Sequence, residues 1–266
     1  SASLDVPANC PNHCKFCISD LTKKGNQETL KNVFVFDAED NIDPIIKDAF
    51  VDRLLFLRQK GVDTIILTGS ASEPIFNRRY LDFFHEVNQE LGRDRFVNVE
   101  LQTSGVGLIW LKDGFWNDDA LLYLDAVLGV KTISLSLASF DHNDNARIMN
   151  TPEKFYYNIF MLCQRIKSGG FNLRLSLNIS QEGFGNFTEN MIKMLFSISK
   201  KLGADQITFR KLYSTGEDAD VNSWIHTNTM PESWWSALTK YSTDNGTPLH
   251  RLPFGAMKYS INGMST

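Results

Sequence analysis

Three of the four cysteines in this chain fall within eight residues, Cys10-Pro-Asn-His-Cys14-Lys-Phe-Cys17. Thiols at this C-x3-C-x2-C spacing suit two kinds of centre. Closely spaced thiolates hold iron–sulfur clusters, and three of them occupy three corners of a cubane, leaving one iron open to a further ligand. Zinc is the competing reading. A structural zinc site takes four ligands, typically as two short-spaced pairs, and here the fourth ligand would be His13, cramped inside the loop, or the remote Cys163. The pattern around Cys163 (Phe155, Ile159, Leu162, Ile166) is an apolar helical stripe, in which a cysteine is expected as a small buried hydrophobe. A secreted disulfide framework would spread an even set of cysteines through a small chain. Clustered thiols point instead to a metal or cluster centre in a reducing, cytoplasmic setting.

The elements that must position this loop alternate between short apolar runs and amphipathic helices. Ser3-Leu4-Asp5-Val6 reads as a strand that ends at Pro7 and runs straight into the cysteines. Val33 to Phe36 reads as a short extended piece. Asp43-Pro44 starts a helix, a capping residue followed by proline at the first helical position, with Ile46, Ala49, Phe50, Leu54 and Leu57 at helical spacing until Gly61. Strands are predicted at 64–67, 96–101, 132–137, 173–179 and 206–209. Helices are predicted from Tyr80 to Leu91, from Asp118 through Leu128, from Thr151-Pro152 through Ile166, and from Met191 to Leu202. Six strand–helix units in strict alternation imply parallel strands with right-handed crossovers. The fold class is therefore α/β, a partial (β/α)6 TIM-like barrel, with function at the C-terminal strand ends. After Leu212 the pattern breaks. Residues 213–230 read as loop, followed by a short helix around Trp234-Trp235-Leu238 and an extended segment over 256–261. The chain is expected to be one domain, 1–266, with a β/α core over 1–212 and a C-terminal helix/strand extension over 213–266.

With the cysteine loop placed after the first strand of such a chain, the sequence resembles the radical S-adenosylmethionine (radical SAM) superfamily over about residues 3–212. The loop matches the family hallmark, including an aromatic, Phe16, before the third cysteine. The resemblance implies a [4Fe–4S] cluster on Cys10, Cys14 and Cys17, with SAM chelated at the open iron and Phe16 near its adenine. The family's Gly-Gly-Glu-Pro-like turn after the second strand corresponds to Thr68-Gly69-Ser70-Ala71-Ser72-Glu73-Pro74, which is longer and lacks the second glycine. It implies SAM contacts from Gly69, Ser70, Ala71, Ser72 and Glu73. Ser136, ending strand four without the aspartate common in the family, and Asn178, ending strand five, complete the implied cofactor set.

Polar residues at strand ends are the substrate candidates: Gln102 and Thr103, Ser139, and Arg210, whose guanidinium suits a carboxylate or phosphate. Asn9 and Asp20 flank the cluster loop. The tail carries Trp224, His226, Trp234 and Trp235, which either cap a flat substrate by stacking or form core. The 266 residues are 42% hydrophobic and 22% charged with formal net charge −4, so global disorder and a general basic, polyanion-binding surface are excluded. No apolar run reaches the length of about 18 residues needed to span a bilayer, and no signal peptide is visible. The chain starts at Ser1 without methionine, as expected if a native N-terminus has been removed. The 266 residues hold no second cysteine cluster, and at this length an appended cobalamin-binding domain is not expected, which favours a small-molecule substrate. A lyase or rearrangement on a modified nucleobase such as a 7-deazapurine (queuine) is one candidate. The alternatives are a glycyl-radical activating or peptide-modifying enzyme and a zinc-stabilised binding module without catalysis. The chemistry implies an external one-electron donor of flavodoxin or ferredoxin type. No nucleic-acid or membrane partner is expected.

Overall fold

Local sequence chemistry sets the helix ends in the computed structural model, which describes residues 1–7, 10–17, 42–69, 72–109, 119–185, 189–214, 220–252 and 257–266. Asp43 caps α1 (Pro44–Gln59), its carboxylate accepting from the Ile45 amide at 2.9 Å. Asn77 caps α2 (Arg78–Glu90), its Oδ1 accepting from the Tyr80 amide at 3.0 Å while its Nδ2 donates to the Pro7 carbonyl. The predicted extended piece at 33–36 and the helix start at Asp118 lie outside the described residues.

Packing divides the chain into two compact units, residues 1–11 with 17–133 and residues 12–16 with 134–266. In the first, β1 (Ala2–Asp5), β2 (Thr64–Thr68) and β3 (Asn98–Thr103) are parallel, with Ala2 opposite Ile65 and Thr64 opposite Asn98. Ile65, Leu67, Phe84, Val87 and Leu101 form its core, and Phe50 of α1 meets Phe83 of α2 at 5.2 Å between ring centroids. The third strand starts at Asn98 rather than Phe96. Phe96 is instead held by the buried Asn88, whose Oδ1 accepts from the Phe96 amide at 2.8 Å and whose Nδ2 donates to its carbonyl at 2.9 Å. Two short helices follow, α3 (Val106–Ile109) and α4 (Asp119–Ala126).

The division between the units falls within β4 (Val130–Leu137). In the second unit β5 (Asn172–Ile179) runs parallel to β6 (Gln206–Lys211), with Asn178 opposite Arg210. Leu173, Leu175, Leu177 and Ile179 fill one face of β5 completely, while Arg174, Ser176 and Asn178 alternate onto the other. α6 (Ile159–Ser168) and α8 (Glu189–Lys201) supply buried Leu162, Cys163, Ile166, Leu195 and Phe196.

Two expectations are corrected here, and one helix is present that the sequence pattern did not predict. Thr151-Pro152 do not cap the helix that carries Cys163. They precede a single 3-10 turn, Glu153–Phe155, the backbone is extended at Tyr156, and Asn158 caps α6 through the Met161 amide at 3.0 Å. Residues 142–148 form a helix, α5 (His142–Ile148), with too few apolar positions for a periodic signal; Asp141 caps it through the Asn143 and Asp144 amides, each at 2.9 Å. The loop predicted over 213–230 contains α9 (Asp220–Asn228), a polar segment stabilised by docking rather than by periodicity. After α7 (Gln181–Phe184), α8, β6 and α9, the chain ends with α10 (Glu232–Asn245), β7 (Thr247–Arg251), β8 (Met257–Ile261) and β9 (Met264–Ser265). The tail strands pair antiparallel with one another, and β9 lies beside β6 with Ser265 opposite Gln206. No helix among the described residues is long and apolar enough to cross a membrane.

Asn88→Ala removes two buried hydrogen bonds and leaves the Phe96 peptide unpaired. We expect a loss of about 2 kcal/mol, read as a thermal midpoint lower by roughly 5 °C in calorimetry.

Candidate active site

In the first unit the turn after β2 is built around a buried carboxylate. Gly69 is the residue of closest approach: a Cβ there would lie 2.2 Å from Ser72 Cβ and 3.1 Å from the Val6 carbonyl. Ser72 Oγ donates to that same carbonyl at 2.5 Å. Glu73, 1% exposed, accepts from Thr103 Oγ1 at 2.5 Å and from the Ser104 amide and hydroxyl at 2.8 and 2.6 Å. All three donors are neutral. Burial therefore prevails over the hydrogen bonds, and the Glu73 carboxyl is held above its ordinary range. Thr103 is buried and engaged on Glu73, and Gln102 accepts from Thr68 Oγ1 at 3.1 Å. Ser70, Ala71, Asn9 and Asp20 lie outside the described residues.

In the second unit the middle of the cysteine loop is tied down by one residue that sequence reading passed over. Glu182, at the start of α7, accepts from Lys15 Nζ at 2.8 Å, from Trp224 Nε1 at 2.6 Å, and from Arg147. Burial raises its carboxyl, but the bonds from Lys15, Trp224 and Arg147 outweigh that and hold it below the usual range. The Lys15 amide also donates to the Ile148 carbonyl at 3.1 Å. Phe16 lies 6.3 Å from Trp224, ring centroid to centroid, and Cys14, Phe16 and Trp224 pack on Ala138, Ile148 and Met149. α7 is held close: a Cβ on Gly183 would sit 1.8 Å from the Ala138 carbonyl, and Asn228 Oδ1 accepts from the Glu182 amide at 3.1 Å.

The β4 end is fixed by Asn145, whose Oδ1 accepts from the Ala138 and Ser139 amides at 2.8 and 3.4 Å. Ser139 is buried, its Oγ accepting from the Asp141 amide at 3.2 Å, so it shapes the turn into α5. Ser136 is half-buried on β4. Asn178 is buried and donates to the Leu137 carbonyl at 3.3 Å; Arg210, its partner in register on β6, is exposed. Trp234 is core at 5% exposure, and His226 Nε2 contacts Ser214 Oγ at 3.2 Å.

No family model matches the sequence, and no characterised protein matches it in sequence. Solved structures do. HydG, a maturase of the [FeFe]-hydrogenase, superposes with a TM-score of 0.54 at 12% identity over 89% of this chain and 48% of that one. TYW1 with a lysine–pyruvate adduct gives 0.49 at 11% identity over 94% and 76%. The radical SAM methyltransferase TsrM from Kitasatospora setae, with cobalamin and a [4Fe–4S] cluster bound, gives 0.39 at 13% over 61% and 30%. This chain shares the fold of HydG. It spans about half the length of the HydG chain and under a third of TsrM.

Cys10, Cys14 and Cys17 are all half-buried and none is in a disulfide, whereas Cys163 is fully buried and its thiol is pushed up to about 12 by desolvation. Among the described residues no three His, Cys, Asp or Glu side chains stand as a ready-made metal cage. The donor chemistry nevertheless fits a cluster: three accessible thiols at cluster spacing, and a fourth that resists ionisation. One packing observation agrees. Asn12, inside the loop and 6% exposed, has no hydrogen-bond partner on Nδ2 or Oδ1 among the described residues. Ser176 Oγ, buried on the polar face of β5, is likewise unpartnered there. Neither signal is present in the sequence, where both residues read as ordinary polar positions.

Two outcomes follow. A buried carboxyl with a raised pKa costs stability as pH rises through that pKa, because ionisation then works against burial. Glu73→Gln is therefore expected to gain thermal stability relative to the unsubstituted protein as pH goes from 4 to 8, with the smallest difference at the acid end, in parallel melting curves. Glu182→Ala releases Lys15 and Trp224. The expected result is alkylation of Cys14 about tenfold faster, with Cys163 unchanged, by mass spectrometry of the reduced, cluster-free protein.

Proposed function

We propose that this chain is a radical SAM enzyme. The observation that carries the reading is the C-x3-C-x2-C loop directly after the first strand of a chain whose fold is similar to that of HydG. Cys10, Cys14 and Cys17 would hold a [4Fe–4S] cluster, with SAM at its open iron. When bound, the pair supplies one-electron cleavage of SAM to a 5′-deoxyadenosyl radical, which takes hydrogen from a substrate.

The chain's own residues supply orientation and dryness. Cys14, Phe16 and Trp224 pack together on the apolar patch of Ala138, Ile148 and Met149, which gives Cys14 an apolar flank. Phe16 is assigned to the adenine. Gly69 to Glu73, Ser136 and Asn178 are assigned to the remaining SAM contacts. Glu73, buried and holding three hydrogen bonds, is assigned there as a fixed polar group. Of the substrate candidates, Gln102 and Arg210, with Asn9 and Asp20, are kept. Thr103 and Ser139 are reassigned to positioning, since their hydroxyls serve Glu73 and the α5 turn. The core over 1–212 and the extension over 213–266 act as one catalytic domain in this reading. The substrate class is a small organic molecule, with a lyase or rearrangement on a 7-deazapurine as the specific candidate. The setting is cytoplasmic, and the reductant is a flavodoxin or ferredoxin.

Anaerobic purification with iron and sulfide analysis, then incubation with SAM and dithionite, tests this. A brown protein with about four irons per chain that forms 5′-deoxyadenosine is expected, and Cys14→Ala should lose both properties. A colourless protein that carries zinc and leaves SAM intact after iron–sulfide reconstitution would overturn the reading.

A further inference from the structure

Five asparagines are buried among the described residues: Asn12, Asn88, Asn145, Asn178 and Asn228. Four have evident work. Asn88 holds the Phe96 peptide, Asn145 ends β4, Asn178 bonds to the Leu137 carbonyl, and Asn228 accepts from Glu182 and donates to the Trp224 carbonyl. Asn12 is the exception, with both polar atoms buried and neither satisfied by any described residue. An unpaired buried amide costs on the order of 1–3 kcal/mol on each side, and native interiors rarely tolerate one. No described residue supplies its partner, and a group bound at the cysteine loop can.

The position of Asn12 narrows the partner. It stands two residues from Cys10 and two from Cys14, so its backbone is bounded on both sides by thiols of the centre. The loop is also pinned three residues further on, by the Lys15 amide on the Ile148 carbonyl and by Lys15 Nζ on Glu182. The groups nearest in sequence are sulfur acceptors, and the donor half of the amide is what they can satisfy. An ordered water is the ordinary partner for Oδ1.

We propose that Asn12 Nδ2 donates a hydrogen bond to a sulfur of the iron–sulfur centre and raises its reduction potential. This rests on the cluster reading above. A hydrogen bond to a cluster sulfur favours the reduced form, which carries the extra negative charge. Removing the donor lowers the potential and makes the electron harder to load.

The test is the midpoint potential of the reconstituted, SAM-free protein, by spectroelectrochemistry with the cluster's electron paramagnetic resonance signal as a second readout. Asn12→Ala should disfavour reduction about tenfold, about 59 mV for a one-electron couple. Asn12→Ser, which keeps a donor, should stay closer to the unsubstituted protein. Should the alanine variant fail to load a cluster, Asn12→Thr against Asn12→Val makes the same comparison between nearly isosteric side chains with and without a donor, and the valine variant should be the more negative. Equal potentials within each donor and non-donor pair would overturn the proposal while leaving the cluster intact. An unsubstituted protein that binds no cluster would instead overturn the parent reading.

Discussion

One carboxylate organises the second unit. Glu182 gathers an ammonium, a guanidinium and an indole N–H from three separate stretches of chain: the cysteine loop, α5 and α9. Charge-assisted hydrogen bonds are stronger than neutral ones. Concentrated on a partly shielded acceptor, they orient Lys15, and with it the backbone on either side of Cys14 and Phe16. Without them the loop would be an exposed tether between ligands, and the apolar contact of Cys14, Phe16 and Trp224 with Ala138, Ile148 and Met149 would have to hold it alone.

Glu73 shows the opposite solution at the end of β2. Its three donors are neutral hydroxyl and amide groups, and burial is complete, so desolvation prevails and the carboxyl is pushed up. At Glu182 two cations tip the same balance downward. The two residues have the same chemistry and both follow a parallel strand, yet their environments push their carboxyls in opposite directions. Glu182 is a fixed anion that docks a loop. Glu73 is a shape-and-hydrogen-bond element that locks the turn from Gly69 onto Thr103 and Ser104. The cysteines divide in the same way. Desolvation disables Cys163 as a thiolate, while the three loop thiols remain accessible.

Much of the fold is legible in the sequence because its signals are local. Asp43-Pro44, the apolar stripes of α2 and α8 and the leucine-rich run of β5 each carry their own periodicity or cap. The misses share one cause. α5 and α9 are polar helices without an apolar stripe, and they are stable because Asn145, Ile148, Trp224 and Asn228 dock into tertiary partners that local patterns do not encode. β7 and β9 are too short and too polar to be read as strands before their pairing is known.

The sequence by itself determined the chemistry on offer: three thiols at cluster spacing after a first strand, within an α/β alternation. That information is one-dimensional, since ligand spacing and element order survive without coordinates. Only the tertiary structure decided which polar side chains are engaged elsewhere and which lack a partner. It sets Thr103 on Glu73 and Ser139 on the α5 turn, recruits Glu182 to the cysteine loop, and leaves Asn12 buried without a described partner. Hydrogen bonding and burial join residues far apart in the chain, so a side chain's availability is a property of the folded neighbourhood and not of the residue.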